Sequence, residues 1–179
     1  EEQFQPPFTF HGFRYLELSG LEEAPPPADV EGVVLHSETP ETGDFRCSDE
    51  RVNQLQHNIQ WGQRGNFLEV PTDCPQRDER LGWTGDAQVF AATACFNMDV
   101  AAFFAKWLVD LEDAQAENGA LCHFAPNINF RHEDACAWAD AAVIVPWQVY
   151  LAYGDAALLE RHYGMMTKWV AYMKETSNN

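Results

Sequence analysis

The residues best suited to chemistry lie in Asp73–Asp86, where Asp73, Asp78, Glu79 and Asp86 stand with Arg77, Arg80 and Trp83 inside fourteen residues. Pro75, Gly82 and Gly85 interrupt this stretch too often for a regular element, so it reads as a loop. Ionised groups are costly to bury unless paired, and so many acids beside two guanidiniums predict a polar cluster lining a cleft. Arginines hold some carboxylates ionised. An acid seated against Trp83 and Leu81, away from an arginine, has its pKa raised and becomes a proton donor. Carboxylates differentiated in this way are what hydrolysis of a glycosidic bond requires. The same residues also fit an ion-pair network that pins one helix to the next, because such networks perturb pKa values too.

Composition narrows the field. The chain has 179 residues, 46% hydrophobic and 13% aromatic, enough to bury a core of one domain or of a domain plus part of another. Its net charge of −17, from 28 acids and 11 bases, argues against nucleic acid and against anionic membranes, and suits a neutral sugar. No run is apolar enough for a membrane span. Glu1 to Pro7 has neither the basic nor the apolar region of a secretory leader, which tilts the compartment toward the cytoplasm without fixing it. Cys47, Cys74, Cys95, Cys122 and Cys136 contain no C-x-x-C pair, so mostly buried, reduced thiols are expected rather than a zinc site or a disulfide framework.

The elements that must position the acids follow from periodicity. Phe8–Leu18 alternates apolar with polar residues, slipping at Gly12 as at a β-bulge, and Val30–His36 is a second β-rich run. Residues 1–46 therefore read as the last strands of a β-sandwich, with a stiff Pro25–Pro27 connector. Residues 47–179 read as helical. Ser48 is the expected N-cap of a first helix to about Gly65, with Val52, Leu55 and Ile59 inward. A second helix is expected over Gly85–Asn97, with Val89, Phe90, Thr93 and Phe96 on one face. Asp99 starts a third, running to about Glu117, with Phe103, Phe104, Trp107, Leu108 and Leu111 inward and a left-handed stop at Asn118–Gly119. Leu121–Ala135 is an irregular loop of functional length. Its His123, His132 and Glu133 match no ligand spacing, so solvated histidines are expected there. Trp138–Tyr153 forms a fourth helix, kinked at Pro146 and ending at Gly154. Asp155 caps a fifth that carries Leu158, Leu159, Tyr163, Met166, Trp169, Val170 and Met173, with Gly164 as a dividing point. Helical hairpins of this kind build an α/α toroid.

Asn66–Gln88 is similar to the signature segment of the bacterial α-L-rhamnosidases, inverting glycoside hydrolases that remove terminal rhamnose. The similarity extends through Phe10–Tyr15, Gly43–Phe45, Trp138–Ala141, Pro146–Trp147 and Tyr153–Asp155, so it covers most of the chain. It implies a mainly α fold, the first part of an (α/α)6 barrel preceded by the end of a β-sandwich. It also implies a rhamnose-containing glycoside or oligosaccharide as substrate; no cofactor and no metal are expected. On this resemblance Glu79 is the general acid, Asp73 and Asp86 bind rhamnose hydroxyls, and Trp83 and Trp138 wall the sugar pocket. Arg77 contacts the sugar or holds Asp73. Asp78 and Arg80 read as structural partners of the loop. Core packing is the competing reading for each tryptophan, and Asp140 reads either as a further pocket acid or as a helix-terminal residue.

Inversion also needs a general base, about 6.5–9.5 Å from the acid. In the family it comes from a later part of the barrel, and no residue here matches it. Another α/α-toroid glycosidase or lyase and a non-catalytic glycan-binding module are the rival readings. About five helices of a barrel leave apolar faces uncovered, so self-association and inactivity of residues 1–179 alone are expected.

Overall fold

The computed structural model describes residues 3–128 and 136–177. Five α-helices dominate it: α1 (Glu50–Asn66), α2 (Thr84–Asn97), α3 (Ala101–Asp113), α4 (Ala141–Tyr153) and α5 (Ala156–Thr176). Helix α2 packs most extensively on α4, which also packs on α5 and α3. The helical expectation and its order of elements hold, as a portion of an α/α toroid.

The two strands expected among the first residues are not formed within this segment. Phe8–Leu18 and Val30–His36 form no ladder, and residues 3–46 contain only a single 3-10 turn, Pro27–Asp29, and a lone bridge from Glu41 to Met98. A strand exists only where a neighbour supplies its hydrogen bonds. The alternating side chains Phe8, Phe13, Tyr15, Leu16 and Leu18 are all exposed, as in a segment without such a neighbour. The sequence pattern did not signal the small hairpin of β1 (Phe67–Leu68) and β2 (Val70–Pro71), which turns at Glu69 with φ +66°. Thr72 then bonds back to the Asn66 carbonyl through both its N–H and its hydroxyl, which turns the acidic loop back over the end of α1.

Helix α3 buries the expected stripe: Phe103, Phe104, Trp107, Leu108 and Leu111. It ends earlier than expected, at Asp113, and Gly119 takes its left-handed conformation (φ +93°) in the following turn instead. Phe67 stacks on Phe103 with ring centroids 4.3 Å apart, so the hairpin is anchored in this core. Helix α4 begins at Ala141 and stops at Gly154, whose φ of +71° is the left-handed cap. Helix α5 runs unbroken through Gly164 and is capped by Asp155, whose side chain accepts from the Leu158 N–H. Its inward residues are Leu158, His162, Met165 and Trp169, while Tyr163 and Val170 face solvent. His162 pairs through Nδ1 with Glu112 at 2.8 Å and joins α5 to α3.

Two helices turn other faces inward than expected. Helix α1 is capped by Asp49, which accepts from Arg51 N–H, and not by Ser48. It buries Gln63 and leaves Val52 and Leu55 exposed. Gln63 donates to the Ala94 carbonyl and accepts from Asn97, which in turn accepts from Gln56, so a polar seam joins α1 to α2. Helix α2 buries Thr84, Ala87, Ala91, Ala94 and Asn97, while Val89 and Phe96 are 80% and 72% exposed. Small residues three and four apart let α4, with its own inward Ala141, Ala142 and Val145, approach closely.

Candidate active site

The acidic loop is fixed at its far end by α2. Gly82 accepts from the Ala125 N–H, Trp83 bridges to Phe124, and the Thr84 N–H and hydroxyl both donate to the His123 carbonyl. The described part of the loop after α3 is thereby stitched to the start of α2, and Trp107 adds a hydrogen bond to the Ala125 carbonyl.

Within the loop, one carboxylate oxygen gathers two side chains. Glu79 Oε1 accepts from Trp83 Nε1 at 3.0 Å and from Arg77 Nη2 at 3.1 Å. Sequence reasoning sought an acid against Trp83 without an arginine. Glu79 is against Trp83, but Arg77 shares its oxygen, and Arg77 bonds Glu79 rather than Asp73. Oxygen atoms of Asp73 and Glu79 and the Cys74 sulfur lie within 4.8 Å of one another. The thiol donates to Asp73 Oδ2 at 2.8 Å, and that bond, with burial and the Asp73 charge behind it, pushes its pKa up to about 11. At neutral pH Cys74 is a protonated donor to Asp73 rather than a nucleophile.

Asp86, in the first turn of α2, completes the chain of acids. Burial first, and then the charge and hydrogen bonding of Asp73, raise its pKa above the ordinary carboxylate value. The residue as a whole is exposed, but its carboxyl is partly buried at one end of the groove, where the Asp73 charge adds to the effect. A groove of about 580 Å³ is lined by Asp73, Asp86, Gly85, Gln88 and Trp138, with Phe67 and Phe90 on its apolar side. Glu79 stands next to Asp73 at the side of this groove, and Glu79, Arg77 and Trp83 are not among the residues that line it. Trp138 lies directly on Gly85: a Cβ there would be 2.7 Å from the indole. Gln88 donates to the Ala137 carbonyl and holds the segment that carries Trp138.

Other sequence readings resolve differently. His123 is half-buried, its ring 6.5 Å from Trp83 and 5.8 Å from Trp138, so it links the two indoles. His132 and Glu133 lie outside the described residues. Asp140 sits at the N-cap position just ahead of α4 and accepts from Trp169 Nε1, a structural role. Asp78 is exposed. Cys47, Cys74, Cys95 and Cys136 are free thiols, but none of these four is fully buried, and Cys136 is exposed. What sequence reasoning missed are the bond from the Cys74 thiol to its sequence neighbour Asp73 and the tertiary placement of His123 between the indoles, for which spacing carries no signal.

Helical hairpins with an acid cluster and indoles in the loop before an inward helix define the class of helical-hairpin domains of the α/α toroid type. Residues 40–179 match the family model described as the bacterial alpha-L-rhamnosidase 6 hairpin glycosidase domain, and residues 1–36 match the bacterial alpha-L-rhamnosidase concanavalin-like domain. The chain belongs to the bacterial α-L-rhamnosidase family. An alpha-L-rhamnosidase of Formosa agariphila is 48% identical over 179 residues, 99% of this chain and 19% of that protein. One from Streptomyces avermitilis is 48% identical over 99% of this chain and 17% of its own length. Among solved structures, an alpha-L-rhamnosidase from Dictyoglumus thermophilum superposes with a TM-score of 0.94 at 44% identity, over 98% of this chain and 20% of that one. The Streptomyces avermitilis enzyme complexed with L-rhamnose superposes with a TM-score of 0.76 at 48% identity, over 78% and 14%. The chain thus spans about a fifth of the length of the relatives it matches.

Proposed function

We propose that these residues form the acid-bearing part of an α-L-rhamnosidase catalytic domain that hydrolyses terminal α-L-rhamnose with inversion. The observation that carries this reading is the run of proximate carboxylates, Glu79 to Asp73 to Asp86, leading into a groove walled by Trp138. Glu79 is the general acid. Trp83 and Arg77 fix one of its oxygens, leaving the other to meet the glycosidic oxygen. Asp73 and Asp86 accept sugar hydroxyls, and Trp138 in the groove wall, flanked by Trp83 at its side, faces the sugar's apolar side and methyl group. The base that activates water belongs to the part of the barrel that the relatives' greater length supplies. We place the boundary between the β-sandwich portion and the helical domain at residues 46 and 47.

The test uses the protein at the length of its relatives. It releases rhamnose from an aryl α-L-rhamnoside, and NMR of the first product shows the inverted anomer; the retained anomer would overturn the mechanism. Asp73→Asn and Asp86→Asn each weaken rhamnose binding at least about tenfold in calorimetry, the scale of losing a hydrogen bond to a charged group. Unchanged affinity with a lower melting temperature would make both acids structural.

Exposed apolar residues such as Val89, Phe96, Leu55 and Trp147 lead to a further expectation for residues 1–179 alone. They self-associate in sedimentation velocity and release no rhamnose above buffer. A stable monomer would remove the first claim, and Glu79-dependent hydrolysis would place the base inside this segment.

A further inference from the structure

Arg80 holds a backbone conformation that a non-glycine residue rarely adopts, with φ +46°, one position after Glu79. Its guanidinium bonds no acid in the cluster. Nε donates to the Pro75 carbonyl at 3.1 Å, Nη2 donates to the Phe10 carbonyl at 2.8 Å, and the group lies 4.6 Å over the Phe10 ring. The first bond closes Pro75–Arg80 into a ring. The other two tie that ring to a segment seventy residues earlier in the chain. Gly12 makes a second contact between the same segments: a Cβ there would sit 3.4 Å from the Gln76 Cβ.

From this arrangement we infer that Arg80 is a positioning residue, through which the Phe10–Gly12 segment braces the loop that aims Glu79. This rests on the reading of Glu79 as general acid. Three contacts from one planar cation offset the cost of a left-handed backbone, and they fix the direction in which the chain leaves Glu79. A lysine reaches one of the two carbonyls but not both. The segment before the helical domain therefore contributes to proton delivery without touching the sugar.

The experiment compares Arg80→Met, Arg80→Lys and Phe10→Ala with the unaltered protein at the length of its relatives. Arg80→Met lowers kcat on an alkyl rhamnoside by on the order of tenfold to a hundredfold, the scale of misplacing a catalytic group. An activated aryl rhamnoside, which needs little protonation, loses less than about threefold, and rhamnose affinity stays within about twofold. Arg80→Lys falls between, and Phe10→Ala shifts the same ratio more weakly. Hydrogen exchange, read without any substrate, speeds up in residues 74–80 of all three variants while α3 is unchanged. Equal losses on both substrates, or unchanged exchange in 74–80, would overturn the brace. If exchange rises but the unaltered protein releases no rhamnose, the brace stands as structure and the rhamnosidase reading fails. A variant too unstable to assay leaves Phe10→Ala, which keeps the carbonyl and removes only the ring, to decide the same ratio.

Discussion

Glu79→Gln in the protein at the length of its relatives lowers turnover of an alkyl rhamnoside at least about 100-fold, about 2.7 kcal/mol in the barrier. The geometry makes this substitution clean. Glu79 Oε1 is an acceptor for both Trp83 and Arg77, and the glutamine carbonyl can take both bonds. The amide nitrogen then replaces the oxygen that would carry the transferable proton. Shape and packing survive, so the melting temperature changes little. An aryl rhamnoside with a good leaving group suffers less, because its bond breaks with little protonation. Equal small losses on both substrates, measured by steady-state kinetics, would take the general-acid role away from Glu79.

Gly82→Ala has the largest expected effect on stability. A Cβ at this buried position would stand 2.2 Å from the Ala125 carbonyl oxygen and 3.0 Å from Trp107 Nε1. Neither neighbour can give way cheaply. The Ala125 carbonyl is held by Trp107, and the Ala125 N–H donates to Gly82 itself. Relief requires opening the junction that carries Trp83 and Phe124, at about 3 kcal/mol, the upper range for overpacking. For a chain of this size that is a fall of roughly 6–12 °C in melting temperature. Gly164→Ala is the control. Nothing lies within 4 Å of its Cβ, and in the middle of α5 it gains up to about 1 kcal/mol of helix propensity. Calorimetric melting of the two variants checks both signs, and a Gly82→Ala protein as stable as the parent would show that the junction yields.

Helices whose burial is carried by bulk were legible in the sequence. The aromatic and leucine stripe of α3 lies where its spacing placed it. Helix α2 misled for a physical reason: its inward face is made of methyl groups, and a reading that weighs apolar size puts Val89 and Phe96 inside. Helix α1 misled in the same way, because Gln63, Gln56 and Asn97 satisfy one another across the contact and local pattern cannot show that pairing. The first residues carry a true β pattern, but a ladder needs a second strand. At the site, residue types and the family signature marked the acids; Glu79 is held by near neighbours in the sequence, whereas the approach of Asp73 to Asp86 and the anchoring of Arg80 depend on how the loop folds back. Asp73 meets Asp86 only because the hairpin after α1 turns the loop back, and Arg80 meets Phe10 across seventy residues.

The methyl-lined contact between α2 and α4 also sets a dimension of the groove. Asp86 and Gly85 ride on the first turn of α2, and Trp138 sits just ahead of α4, so the spacing of two helix axes becomes the gap between a carboxylate and an indole. Ala91 and Ala94 act as shims of one carbon each. Enlarging either would press the two axes apart and shift the indole relative to the carboxylate from positions that do not line the groove.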